Sequence, residues 1–249
     1  LAASGGTLSV PSWRMVGFSA AGGLCQILAT NLLIMAFGFR NFAVGTAYSK
    51  TDTAQSAVVA LIVLHEALRP LAWVGIGVGL AGVLTLSLAG RGLRVSTLLA
   101  ATAQPAALCG LGAGFFFALT TVLIKLATGA AGAPSVFVRA LFVLFVTNSL
   151  QTLMQGLYLA WREPHELRKA MTSWRSSSWV GILSAAGSAC WFTGFAMTDV
   201  ALVRAVGQVE VVFTLLFSRF YLHERLKRGD VAGLLLVVAG VLIIVASSG

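Results

Sequence analysis

Long apolar runs recur along the chain of 249 residues, separated by short polar stretches. Each run has little or no charge and is close to the ~20 residues that cross a bilayer as a helix. The runs are 15–38, 42–64, 71–89, 106–124, 136–160, 179–197, 200–221 and 231–247. The pattern therefore predicts an all-α protein with eight membrane-spanning helices.

The composition supports a polytopic membrane protein. Hydrophobic residues make up 58% of the chain, charged residues 10%, and the mean hydropathy is +0.91. Such values lie well outside those of an average soluble domain. Because no charged or low-complexity stretch is long enough for a soluble domain, any function must reside in the helix bundle.

The net charge of +9 does not indicate a nucleic-acid partner, because the basic residues lie in loops and form no folded basic patch. Four loops that share one side if every segment spans hold eleven of the seventeen Lys and Arg. They are 38–42, 90–105, 160–178 and 219–230. The opposite side holds Arg14 and Arg69, so the positive-inside rule makes the first side cytoplasmic and the C-terminus external.

An internal repeat organises the chain. Residues 37–84 align without a gap to 195–242, at a constant offset of 158 and with twelve identities. The second copy holds five predicted helices and the first holds three, so two helices are expected before Leu1. An odd number of spans per copy inverts one copy relative to the other. The predicted divisions are a truncated first repeat (1–89), a connecting loop (90–105) and a complete second repeat (106–249), in a parent of ten helices.

The repeats resemble EamA-type repeats of the drug/metabolite transporter superfamily. The stretches "LHEALRPLAWVGIGVGLAGVL" and "LHERLKRGDVAGLLLVVAGVL" match its pattern of an acidic residue closing one helix, then a Gly and an Ala-Gly pair in the next. In the first copy these are Glu66, Gly75 and Ala81-Gly82. Many members carry Pro after an acidic residue in the fourth and ninth helices, but Thr53 and Val211 stand there. The resemblance implies a multi-pass bacterial inner-membrane transporter with both termini inside, which conflicts with the charge-based topology.

The polar stretch Ala47–Ser56, "AYSKTDTAQS", is predicted to lie inside the membrane. Its counterpart in the second copy is apolar, and without the stretch only eight apolar residues, 57–64, remain before "HEALRP". At 1.5 Å per residue Asp52 lies roughly 15 Å along a helix from Phe42, near the middle of a ~30 Å core. Glu210 is its counterpart at the same depth.

A charge at mid-membrane costs ~2.5 kcal/mol or more, so each should face a partner, the bundle interior or a wet cavity. Helical spacing predicts one stripe of Gly45, Tyr48, Asp52, Gln55 and Val59. Lys50 points away from Asp52, so each charge needs its own partner. The candidates for substrate binding or coupling are Asp52, Glu210, Lys50, Tyr48, Gln55, Gln208, Trp191 and Arg139. Alternatively, these polar residues only bond neighbouring helices and hold the bundle together.

Other charged and polar residues are weaker candidates. Lys125, Arg139 and Arg204 lie near helix ends, where long cationic side chains usually extend to the interface. Gln26, Asn31, Trp191 and Phe192 are interpreted mainly as packing residues, although they could line a cavity.

The sequence predicts neither a metal nor a cofactor. His65-Glu66 and His223-Glu224 lack HExxH spacing, and both glutamates are expected to bond backbone or basic groups at turns. The three cysteines lack paired metal or redox spacing. Gly75, Gly79 and Gly82 allow close helix contact, either within the chain or at a homodimer seam.

The predicted function is secondary active transport, by which a small metabolite such as an amino acid is exported through alternating access between inverted repeats. A proton or another ion could drive it, and no phosphate-binding loop indicates ATP drive. Two alternatives stay open. A membrane enzyme acting on lipids should cluster reactive groups near the interface, and a scaffold or sensor needs no charged midplane.

Overall fold

The computed structural model describes residues 11–39, 42–89, 103–133, 135–221 and 228–248. These residues are helical with turns and short connections, which confirms the all-α prediction. The helices are α1 Trp13–Gly38, α2 Phe42–Ser49, α3 Asp52–Leu64, α4 Pro70–Ala89, α5 Pro105–Gly129, α6 Val136–Arg162, α7 Pro164–Thr172, α8 Trp174–Met197, α9 Val200–Gly207, α10 Glu210–Phe220 and α11 Arg228–Ser248.

Five helices of the described chain are long and apolar enough to cross a membrane: α1, α5, α6, α8 and α11. The prediction of continuous helices over 42–64 and 200–221 is wrong, because each run is two short helices separated by a two-residue turn. The predicted loop 160–178 is largely helical, since it contains α7 and the start of α8.

The chain forms two compact units, which are described separately. Unit 1 comprises the chain as far as Ile27 and residues Thr120–Thr198, and unit 2 comprises Leu28–Leu119 and Asp199–Gly249. The units do not follow the sequence repeats, whose boundaries stay a prediction.

In unit 1, small and polar residues of α1 contact α5 and α6. Gly22 and Gly23 let α1 lie against α5 and α6, because a Cβ at Gly23 would come within 2.9 Å of the Gln151 side chain. Gln151 donates to the Gly23 carbonyl at 3.2 Å and to Gln26 Oε1 at 2.9 Å. Gln26 therefore serves in helix packing here, as the sequence interpretation favoured.

Unit 2 centres on helices α4 and α11, whose backbones lie in direct contact. A Cβ on Gly82 would lie 2.6 Å from the Val237 amide nitrogen, and one on Gly240 would lie 2.6 Å from the Gly79 nitrogen. Gly75 meets Ile244 in the same way. Of the two roles predicted for these glycines, the structure shows close packing within the chain.

Candidate functional site

The first helix break lies at Lys50-Thr51, between α2 and α3. The Thr51 hydroxyl donates to the Tyr48 carbonyl at 2.6 Å, and the Thr51 amide donates to the same oxygen at 3.2 Å. This local bonding occupies the carbonyl that a regular helix would offer to residue 52. A threonine, rather than a proline, therefore accompanies the interruption of the helix.

The second break lies at Gln208-Val209, between α9 and α10, at the positions that correspond to the first by the repeat offset. Its amides bond three residues back: Gln208 to Ala205, Val209 to Val206 and Val211 to Gln208, each at 3.1 Å. Such bonds form a tighter 3₁₀-type turn. The two copies are thus broken at matched positions, and the residue after each acid is Thr53 or Val211 rather than a proline.

Each break places a carboxylate at a new helix N-terminus, since α3 begins at Asp52 and α10 begins at Glu210. The positive end of the helix dipole favours negative charge there. The sequence located both acidic residues along the chain, but the continuous-helix interpretation did not predict this stabilisation.

Two ion pairs cross between the breaks. Lys50 Nζ donates to Glu210 Oε1 at 2.9 Å, so the basic residue of the first break reaches the acid of the second. Arg204, one turn before the second break, pairs through Nη2 with Asp52 Oδ2. Both pairs join the first repeat to the second within unit 2.

The two pairs differ in burial. The side chains of Asp52 and Arg204 are 18% and 16% exposed, whereas those of Lys50 and Glu210 are 38% and 57% exposed. Thr53 donates a further hydrogen bond to Asp52 Oδ1 at 3.2 Å. The Asp52–Arg204 pair is therefore the inner one, and the Lys50–Glu210 pair is the more exposed one.

Glycines on neighbouring helices make room for the polar side chains of the breaks. A Cβ on Gly114 of α5 would lie 3.0 Å from Gln55 Nε2, which donates to the Thr51 hydroxyl at 2.7 Å. Tyr48 packs beside Gly110 of the same helix. Gly45, Tyr48 and Gln55 of the predicted stripe therefore lie against α5 on both sides of the break, whereas the Asp52 carboxylate pairs with Arg204 of α9.

Gln208 lies in the second break with its side chain against Gly79 of α4. The residue is only 7% exposed, and its Nε2 has no hydrogen-bond partner among the described residues. A buried amide donor without a partner is unusual in a folded protein. It is therefore a place where a ligand could supply the missing acceptor.

The sequence interpretation of Arg204 as an interfacial cation is wrong, because its side chain is only 16% exposed and pairs with Asp52. Counting charges in the two broken runs could have identified Arg204 as an ion-pair partner. Apart from Arg219 near the end of the second run, the two runs carry two acids, Asp52 and Glu210, and two bases, Lys50 and Arg204. Lys125, given the same interfacial interpretation, donates to the carbonyl of Thr198 at the end of α8, at 2.7 Å.

Two of the predicted site residues belong to unit 1 rather than to the unit that holds the breaks. Trp191 stacks on Phe195 within α8, with ring centroids 5.6 Å apart, and Arg139 lies half-buried in the first turn of α6. Six candidates therefore lie in or beside the breaks: Tyr48, Lys50, Asp52, Gln55, Gln208 and Glu210.

The predicted role of Glu66 at a turn agrees with the structure. His65 ends α3 in the left-handed conformation at φ 58°, and Glu66 Oε2 accepts a hydrogen bond from the Val200 amide at 2.9 Å. This bond caps the N-terminus of α9, the helix that carries Arg204. His223 and Glu224 lie outside the described residues. Within the described part of the chain, no group of three or more His, Cys, Asp or Glu could hold a metal ion.

Comparison with solved structures supports the fold. A solved structure described only as "Crystal structure of protein" superposes with a TM-score of 0.60 at 17% identity, covering 94% of this chain and 87% of that chain. At this identity the likeness concerns the fold alone. A search of curated proteins gives no match.

The family model described as "EamA-like transporter family" matches residues 104–246. This region runs through α5 to α11 and includes the second break, Arg204 and Glu210. The match covers more than half of the chain and confirms the family resemblance, on the second copy of the repeat. The chain is thus a multi-pass integral membrane protein that belongs to the EamA-like transporter family.

Proposed function

We propose that this transporter is a secondary carrier that exports a small zwitterionic metabolite, such as an amino acid, by alternating access between its two repeats. The observation that carries the proposal is the crossed arrangement of ion pairs at the matched breaks. Broken helices near mid-membrane are where many inverted-repeat carriers bind their substrates.

The ion pairs match the chemistry of a zwitterion. An ammonium group can replace Lys50 on Glu210, and a carboxylate can replace Glu210 on Lys50, so one ligand substitutes for one internal pair without leaving a charge unpaired. The orphaned Nε2 of Gln208 offers a further donor to a carboxylate. A neutral sugar would leave the charges paired as they are.

The same pairs would restrain the conformational change. Each joins a residue of the first repeat to one of the second, so separating the repeats at this level must break or exchange both pairs. A ligand that takes over one pair lowers the cost of that step, and this links transport to occupancy. When a carboxylate loses its basic partner, a proton is the simplest replacement, which gives a route to proton coupling.

The proposal is tested by counterflow in proteoliposomes that contain the full-length protein. Labelled amino acids, sugars and nucleotides are compared at equal concentration. We expect accumulation of zwitterionic amino acids, weaker accumulation of their methyl esters, and none of neutral sugars. Equal accumulation of sugars and amino acids would contradict the proposed charge recognition. Hydrolysis of lipid without any solute movement would favour an enzyme instead.

A further inference from the structure

The segment between α6 and α8 in unit 1 combines aromatic, basic and apolar side chains. Trp161 and Trp174 are 80% and 61% exposed, and each is contacted by the guanidinium that follows it in sequence, Arg162 at 5.3 Å and Arg175 at 5.7 Å. Exposed Trp beside Arg is typical of a protein surface at the level of lipid headgroups.

Helix α7, which connects these two clusters, is amphipathic. Leu167, Ala170 and Met171 share one face, because residues three and four apart lie together on a helix. At about 100° per residue Arg168 flanks this face, whereas Lys169 lies nearly opposite to it. An apolar face flanked by a cation is the arrangement of a helix that lies in a membrane interface.

The two basic residues of α7 differ in whether an acidic side chain of the described chain binds them. Lys169 Nζ bonds Glu166 Oε1 at 2.7 Å, and this lysine holds the pKa of the Glu166 carboxyl below its ordinary value, first through the hydrogen bond and then through its charge. Arg168 forms no ion pair with any residue that the structure describes. Arg168 is thus the cation of α7 that can bind an external anion.

An open groove of about 890 Å³ runs along α6 and ends at Leu167 of α7. Its part nearest α7 is apolar, with Leu153, Gly156 and Leu157. From Leu157 back to Asn148 the helix rises roughly 14 Å, close to the ~15 Å depth of one leaflet of a ~30 Å hydrocarbon core.

We propose that this surface binds one anionic phospholipid, with the headgroup phosphate on Arg168 and an acyl chain in the groove along α6. Arg168 directly follows Leu167, which lines the end of the groove, and Leu153 and Leu157 line the groove next to that end before Thr152, Ser149 and Asn148. A cation next to an apolar stretch matches the phosphate and the acyl chain of such a lipid. Charge complementarity favours an anionic over a zwitterionic headgroup, because a basic side chain near anionic lipid gains about 1 kcal/mol, or about fivefold in affinity.

The proposal is tested by native mass spectrometry of the full-length protein in detergent, with phosphatidylglycerol and phosphatidylcholine of matched chains as probes. We expect tighter binding of phosphatidylglycerol, a loss of about fivefold in Arg168→Gln, and a smaller loss in the matched control Lys169→Gln. Equal affinity for the two lipids, or equal effects of the two variants, would overturn the headgroup assignment.

The groove is tested separately with Gly156→Phe. Gly156 lines the groove and a Cβ there meets no atom within 4 Å, so a side chain at this position starts in open space. We expect this variant to weaken binding of both lipids while the melting temperature is kept. A lowered melting temperature with unchanged lipid binding would mean that protein fills the groove, and would overturn the proposal.

Discussion

Removing the charge of Arg204 should destabilise the protein far more than removing that of Lys50. In Arg204→Gln the Asp52 carboxylate loses its basic partner at a site where its side chain is only 18% exposed. In Lys50→Gln the carboxylate that loses its partner is that of Glu210, whose side chain is 57% exposed. Breaking a buried pair by removing one partner costs about 3–5 kcal/mol, and an exposed pair contributes about 0.2–1 kcal/mol.

The difference follows from the surroundings of the two pairs. Two unit charges about 4 Å apart attract by about 4 kcal/mol at an effective dielectric constant of about 20, but by about 1 kcal/mol in water. The Asp52–Arg204 pair is close to the environment with a dielectric constant of about 20, and the Lys50–Glu210 pair is closer to water. Arg204 also feels the charge of Glu210, so the coupling within each pair is measured with a double-mutant cycle rather than taken from the single variants.

The assay is reversible unfolding of the full-length protein in mixed micelles, applied to a double-mutant cycle. Asp52→Asn, Arg204→Gln and the double variant form one cycle, and Lys50→Gln with Glu210→Gln forms the matched one. We expect the double variant of the inner pair to regain part of the stability lost in Arg204→Gln. Equal coupling energies in the two cycles would refute the assignment of an inner and an outer pair.

Three further predictions concern the framework of the site. Gly82→Ala should cost about 1–3 kcal/mol in the same unfolding assay, because its Cβ would strike the backbone of α11. The control Gly77→Ala on the same helix, where a Cβ meets nothing within 4 Å, should be neutral or stabilising; equal losses would contradict the close packing of α4 and α11. Glu66→Ala should cost about 0.5–2 kcal/mol through the lost cap on Val200, and Glu66→Gln less because it keeps an acceptor; no difference between them would argue against the cap. A cysteine replacing Thr172 should react with an impermeant maleimide only after permeabilisation, and labelling of intact cells would reverse the charge-based topology.

The sequence predicted the positions of the two acids and their equivalence, because the repeat offset relates Asp52 to Glu210 without any structural knowledge. It did not predict the breaks. No proline or glycine marks the first one, and its local bonding depends on whether the Thr51 hydroxyl takes the Tyr48 carbonyl or faces elsewhere. Both outcomes are compatible with the same sequence pattern.

The ion-pair partners of Asp52 and Lys50 could not be predicted from the sequence either. Spacing along a helix excluded an ion pair between Lys50 and Asp52. It gives no information about contacts between residues that are 152 or 160 positions apart in the sequence, as the partners of these two residues are. Arg204 lies four residues after the start of its helix, where a cation more often extends to the interface. Only the packing of α9 against α3 shows that Arg204 faces Asp52 instead.

The most direct test of the central claim, that the carboxylates at the matched breaks take part in transport, measures amino-acid transport by Asp52→Asn and Glu210→Gln in proteoliposomes from pH 5 to pH 8. Both substitutions keep the shape of the side chain and remove its charge. Asp52→Asn leaves Arg204 without its acidic partner and should be the less stable variant, so transport is measured on the folded fraction of each protein. We expect transport, or its dependence on pH, to be lost in both variants, while the control Glu163→Gln on the exposed connection before α7 transports normally. Unaltered transport by both variants across this range would show that the carboxylates only hold the bundle together, and would move the search to Lys50, Gln208, Trp191 and Arg139.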